Sequence, residues 1–130
     1  MHNPVISFRR LATITSVLFF VLAIIWMFFP EKALTSWGVP YTDSAGLVSR
    51  RAAAMYAGLC VMLWVARNAA QSPARRALSA GLVTACIFIA SDGVYDFLAG
   101  NAGSGIFKAV LIEAVLAILF TRYAMRNVAG

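Results

Sequence analysis

Residues 17–29 form an unbroken apolar run, and this run constrains the fold more than any other feature of the chain. Arg9 and Arg10 precede it, and Pro30-Glu31-Lys32 ends it. Extended back to Leu11, the stretch approaches the about 20 mostly apolar residues that a membrane-spanning helix needs. An Arg-Arg pair ahead of an apolar stretch also resembles a secretory signal. The run ends in Trp26-Met27-Phe28-Phe29, however, with no small-x-small cleavage site close behind. It reads as an uncleaved first span.

The remaining chain repeats this pattern. Of 130 residues, 62% are hydrophobic and 12% charged, against about half and about a quarter in soluble domains. That balance excludes an ordinary cytosolic enzyme, a disordered regulator and a disulfide-stapled secreted domain. The expected fold is all-α: one integral-membrane four-helix bundle covering residues 1–130, with spans over 11–29, 45–66, 77–99 and 105–123. Thr42, Asp43 or Ser44 can cap the second span. Between the first two spans, Trp37 and Tyr41 mark the bilayer interface, with a short interfacial turn over 33–37 before the Gly38-Val39-Pro40 break. The glycine-rich stretch 100–105 reads as a flexible tight turn.

Charge then orients the bundle. Lys+Arg number 11 and Asp+Glu 5, a formal net charge of +6. Without a basic tract or a nucleic-acid motif, these cations read as topology signals that touch anionic headgroups, and nucleic acid is not an expected partner. One side receives Arg9, Arg10, Arg67, Arg75, Arg76, Arg122 and Arg126; the other receives Lys32, Arg50, Arg51 and Lys108. The first side carries the positive excess, so both termini are expected in the cytoplasm (N-in/C-in). A bacterial inner membrane suits so short and loop-poor a chain. Small residues spaced four apart, Ala53/Ala57, Ala54/Gly58 and Gly81/Ala85, predict close packing of the second to fourth spans. The bulky first span is expected to present more surface to lipid.

Six ionisable residues fall inside the expected spans: Arg50, Arg51, Asp92, Asp96, Lys108 and Glu113. Such residues are expensive in a bilayer and usually face protein. A helical rise of about 1.5 Å per residue puts Arg51, Asp92 and Glu113 about 9–12 Å from the outer end of their spans, and Asp96 and Lys108 about 5 Å from it. Asp92 and Asp96 share one face of the third span, and two carboxylates that close call for neighbouring cations. One reading is a polar cavity open to the outer face, lined by these six with Tyr56, Tyr95 and Ser91, which binds a small ligand or relays protons. A second is an ion network that fixes helix association, and a third is that Lys108 and Arg50 simply snorkel to the headgroups.

Catalytic signatures are absent. His2 is the sole histidine, which leaves no histidine-built haem or zinc site within the chain and no base for a serine nucleophile. No C-x-x-C, P-loop or G-x-G-x-x-G occurs, and no cofactor is expected. Cys60 and Cys86 lie mid-span, where they serve as small apolar residues or meet one another.

Phe29-Pro30, Trp37-Gly38-Val39-Pro40 and the 51–58 segment RAAAMYAG resemble the small DoxX-like membrane proteins of bacteria, some of them of unknown function. That resemblance covers about residues 11–121 and implies four short spans. The Gly-then-Glu signature of better-known DoxX proteins is missing from the second span, so no catalytic residue is carried over from their quinone- or thiosulfate-linked role. Small multidrug transporters share the length but place their key glutamate in a first span, which here has no acid. The leading functional expectation is a non-enzymatic accessory or small-ligand-binding membrane component. It would work alone, as a homo-oligomer or within a larger membrane complex, and its ligand would be small and lipophilic or polar. A proton-coupled transporter and a quinone-linked redox protein are the alternatives.

Overall fold

A computed structural model describes residues 6–126; His2 lies outside them. The described residues form five α-helices and one 3-10 turn, with no strand among them: α1 (Phe8–Phe28), α2 (Pro30–Ser36), α3 (Asp43–Ala66), α4 (Pro73–Leu98), the turn Ser104–Ile106, and α5 (Phe107–Met125).

Three local signals place the helix starts. Ser7, Thr42 and Ser72 each hold an extended backbone, and their side chains accept hydrogen bonds from the amides of Arg10, Ala45 and Arg75. This satisfies donors that a helix start leaves open. Pro73 then occupies the first turn of α4, where a fixed φ and a missing N–H do no harm. Both α1 and α4 therefore begin earlier than their apolar runs suggest, and their arginines belong to the first turns. Phe29 breaks the chain between α1 and α2 with φ −131°. Proline disfavours the helical conformation in the residue before it, and Pro30 opens α2. The expected interfacial turn is thus a seven-residue helix.

Three helical segments are long and apolar enough to cross a membrane: Phe8–Phe28, Pro73–Leu98 and Ser104–Met125. α3 has the length, at 24 residues, but Asp43, Arg50 and Arg51 dilute its apolar character.

The helices group into two compact units. In the first, α1 packs against α3. Phe8, Leu11, Ala12, Thr15, Ser16, Phe19 and Trp26 of α1 are buried, more than the four buried residues of α3. The first span is therefore not the helix with the least buried surface. A Cβ added at Gly58 or Gly81 would meet nothing within 4 Å, so neither glycine marks a close approach. The small-residue pattern misleads because glycine and alanine occur on every face of an apolar helix.

In the second unit, α4 and α5 form an antiparallel hairpin, and residues 31–41 dock on its connection. Gly100, at φ +78°, ends α4. The amide of Asn101 donates to the Asp96 carbonyl at 2.9 Å and that of Gly100 to the Phe97 carbonyl at 3.1 Å, the pattern of a Schellman cap. The Gly103 amide donates to the Trp37 carbonyl at 2.6 Å. A Cβ on Gly105 would lie 2.0 Å from the Ser36 carbonyl oxygen. Gly103 and Gly105 thus serve close backbone approach. At the other end of the hairpin, Arg76 Nε donates to the Ala124 carbonyl at 3.0 Å, and the Arg75 guanidinium lies 5.0 Å from the centre of the Tyr123 ring.

Gly105→Ala is expected to destabilise the protein by about 1–3 kcal/mol, because backbone must move to admit the methyl group. Gly58→Ala should be neutral or stabilising by up to about 1 kcal/mol, through helix propensity in open space. Thermal unfolding of the two variants in detergent checks the contrast.

Candidate functional site

The six ionisable residues and two tyrosines singled out above divide between the two units. Arg50, Arg51 and Tyr56 lie on α3, in the first. Asp92, Tyr95 and Asp96 on α4, with Lys108 and Glu113 on α5, lie in the second.

In the second unit the α4–α5 seam has a clear register. Ser79, Leu82, Cys86 and Gly93 are buried on α4. From the 3-10 turn into α5, covered positions recur at three- and four-residue spacing, among them Ile106, Ala109, Val110, Glu113, Leu116, Ala117, Phe120 and Tyr123. That is one helical face, and Glu113 is its only acid. The helices approach closely at Gly93, where an added Cβ would sit 2.7 Å from Val110 Cγ2. Glu113 lies one turn beyond Val110. It is half-buried and close enough to act electrostatically on the buried Cys86 thiol. Among the described residues of this unit it has neither a hydrogen bond nor a cation within ion-pair distance. Lys108 is exposed and about 140° around α5 from Glu113, so it does not neutralise the acid.

The two aspartates have different surroundings. At 100° per residue, both sit to the same side of the seam as defined by Gly93. Asp96 is half-buried and builds the end of its own helix. Its carbonyl accepts from the amides of Asn101 and Ala102, at 2.9 and 3.2 Å, and its Oδ1 accepts from Asn101 Nδ2 at 3.0 Å. Asp92, a turn further in, is exposed, and Tyr95 is 65% exposed on the far side of α4. Phe97 and Phe107 close this end of the hairpin edge to face, with centroids 4.7 Å apart.

In the first unit Arg50 and Arg51 are exposed, within about two turns of the start of α3. Tyr56 is half-buried, its ring 5.6 Å from that of Phe19. One feature of this unit escaped the sequence reading. Buried Ser16 on α1 donates to the Cys60 carbonyl at 2.9 Å, with its Oγ 3.4 Å from Cys60 Sγ. Beside this bridge runs an apolar groove of about 300 Å³, lined by Ser16, Val17, Phe20, Cys60, Val61 and Trp64. The Arg67 guanidinium stacks 3.8 Å from the Trp64 ring centroid. Three-residue spacings (17/20 and 61/64, then Trp64 to Arg67) were the available signal, but they only become a groove once α1 is known to lie on α3. Cys60 and Cys86 are both free thiols.

No protein-family model, curated protein or solved structure matches the chain.

The seam is therefore a run of apolar contacts interrupted by one carboxyl group. Glu113→Leu is expected to stabilise the protein by about 1–2 kcal/mol, since a buried polar group without a partner opposes folding. Asp92→Asn, at an exposed position, should stay within about 0.5 kcal/mol of the parent. Thermal midpoints of the two variants in one detergent check this.

Proposed function

We propose that this protein is a small polytopic protein of the bacterial inner membrane, non-enzymatic, whose intramembrane carboxyl group at Glu113 receives a small lipophilic ligand. Glu113 itself carries the reading. It sits half-buried in the α4–α5 seam with no cation within ion-pair distance among the described residues of its own unit, on a helical segment long and apolar enough to cross a bilayer. An ionisable group at such a position is a functional-site hypothesis by default. A carboxyl group selects a ligand that brings a positive charge or a hydrogen-bond donor into an otherwise apolar environment. Asp92 would lie nearer the helix end, along the route of entry from the outer face.

Four crossings complete the reading. At about 1.5 Å per residue, the 24 residues of α3 reach about 36 Å, more than the about 30 Å hydrocarbon core. Arg50 and Arg51 are near enough to its start to extend toward headgroups. With α3 counted, the chain crosses an even number of times and both termini lie in the cytoplasm, on the side of Arg9, Arg10, Arg67, Arg75, Arg76, Arg122 and Arg126.

A second reading is favoured by the succession of carboxyl groups Asp96, Asp92 and Glu113, stepping inward from the Gly100 turn: proton-coupled movement of the same ligand. Proteoliposomes separate the two. Binding alone predicts tetraphenylphosphonium retention with no pH-driven accumulation; coupling predicts both.

Tetraphenylphosphonium, a lipophilic cation, serves as the binding probe. The parent protein should bind it saturably in detergent, and Glu113→Gln should lose at least about tenfold in affinity, the loss of about 1.4 kcal/mol of charge interaction. Equal affinity in the variant overturns the site. For topology, single cysteines replace Asn3 and Asn127 in a chain carrying Cys60→Ala and Cys86→Ala. Neither should react with an impermeant maleimide in intact spheroplasts, and both should react after permeabilisation. Reaction of one terminus in intact spheroplasts would mean three crossings.

A further inference from the structure

The α1–α3 groove belongs to neither reading. The groove itself is apolar apart from the bridged Ser16 hydroxyl. α1 and α3 run antiparallel: Ser16 meets Cys60, and Phe19 meets Tyr56. Following that register toward the start of α1 brings Arg9 and Arg10 to the end of the pair occupied by Arg67. Helical angles sharpen this. On α1, Arg9 lies within about 20° of both Ser16 and Phe20 at 100° per residue, so it continues the stripe that forms one wall. On α3, Arg67 lies seven residues after Cys60 and three after Trp64, and continues the other wall. The guanidinium of Arg67 is already folded over Trp64, at the groove's lip. No acid lies among residues 6–30 or 60–69.

We propose that this groove is a binding site for one anionic phospholipid. An acyl chain fills the space between Phe20, Val61 and Trp64, and the headgroup phosphate rests on Arg9 and Arg67. Two observations select this occupant over a neutral lipid or a protein helix. The cavity, about 300 Å³, has too little volume for a helix about 10 Å across and suits an acyl chain. The charge at one end is purely cationic and matches a phosphate diester. Ser16 contributes by pinning the two helices at the floor, and its hydroxyl is satisfied within the protein, which leaves the wall greasy. The site lies wholly within the first unit, so it does not depend on Glu113.

Native mass spectrometry of the full chain tests this. The protein, purified in detergent, is equilibrated with equal amounts of dioleoyl phosphatidylglycerol and dioleoyl phosphatidylcholine. A single retained phosphatidylglycerol is expected. Each of Arg9→Gln and Arg67→Gln should lower its preference over phosphatidylcholine about fivefold, the equivalent of about 1 kcal/mol per cation. Val61→Trp fills the groove at an exposed position, and should abolish retention of both lipids while circular dichroism stays unchanged. Equal retention of the two lipids overturns the proposal. So does selectivity that survives both arginine changes but disappears in Arg75→Gln or Arg76→Gln. Retention undiminished by Val61→Trp overturns the groove as its seat. A dimer that Val61→Trp dissolves, without retained lipid, would assign the groove to a second copy of the chain.

Discussion

In so apolar a chain, every backbone and hydroxyl group has to find its partner close by, and the rest of the structure follows from that requirement. Water cannot reach the interior of a bilayer to solvate a stray donor, and an unmatched polar group in an apolar setting is expensive. The hydroxyls of Thr13, Thr15, Ser49, Ser79, Thr84 and Thr121 each donate to the carbonyl four residues back on their own helix. Helix starts are closed by Ser7, Thr42 and Ser72, and the end of α4 by its Gly100 cap. Ser16 departs from this habit. Its hydroxyl reaches the neighbouring helix, so it fixes how α1 and α3 lie against each other rather than merely hiding itself.

Once polar groups are settled within helices, packing has to come from shape, because lipid competes equally for apolar surface. The α4–α5 hairpin solves this with a glycine where Val110 presses in, a T-shaped aromatic pair at one end and arginine contacts at the other. Residues 31–41 add a backbone clasp on the hairpin connection through the Gly103 amide. Glu113 stands out against that background, since it occupies a seam position where a leucine would pack without electrostatic penalty.

Legibility of the chain followed the range of the signals. The four long helices and their order were readable, because proline, serine and threonine at helix starts and long apolar runs act over a few residues, whereas the short α2 was expected only as a turn. The early starts of α1 and α4 were missed because Arg9, Arg10, Arg75 and Arg76 look like flanking charge, whereas a side-chain cap decides the start. Helix pairing was beyond reach: packed and exposed faces share one apolar composition, so Gly58 and Gly81 resembled contact points and are open. The candidate cluster was legible as a list of charged positions but not as an arrangement. Depth along a helix follows from counting, whereas the facing direction depends on the seam, which needs the partner helix. The groove lined by Val17, Phe20, Val61 and Trp64 was invisible for the same reason.

The acids illustrate how arrangement changes meaning. By type and depth, Asp92, Asp96 and Glu113 seemed one group awaiting cations. Asp96 is occupied by the cap it makes with Asn101, a task that explains an acid at a helix end. Asp92 is exposed and carries no packing constraint. Glu113 alone combines a covered position, a well-packed seam on both sides along α5 and no hydrogen-bond or ion-pair partner among the described residues of its own unit. A carboxyl group kept there does not improve the α4–α5 packing, since an apolar residue would serve that seam better. Within the α4–α5 unit the carboxyl group ties no helix to another, and that is the observation on which the proposed ligand site rests.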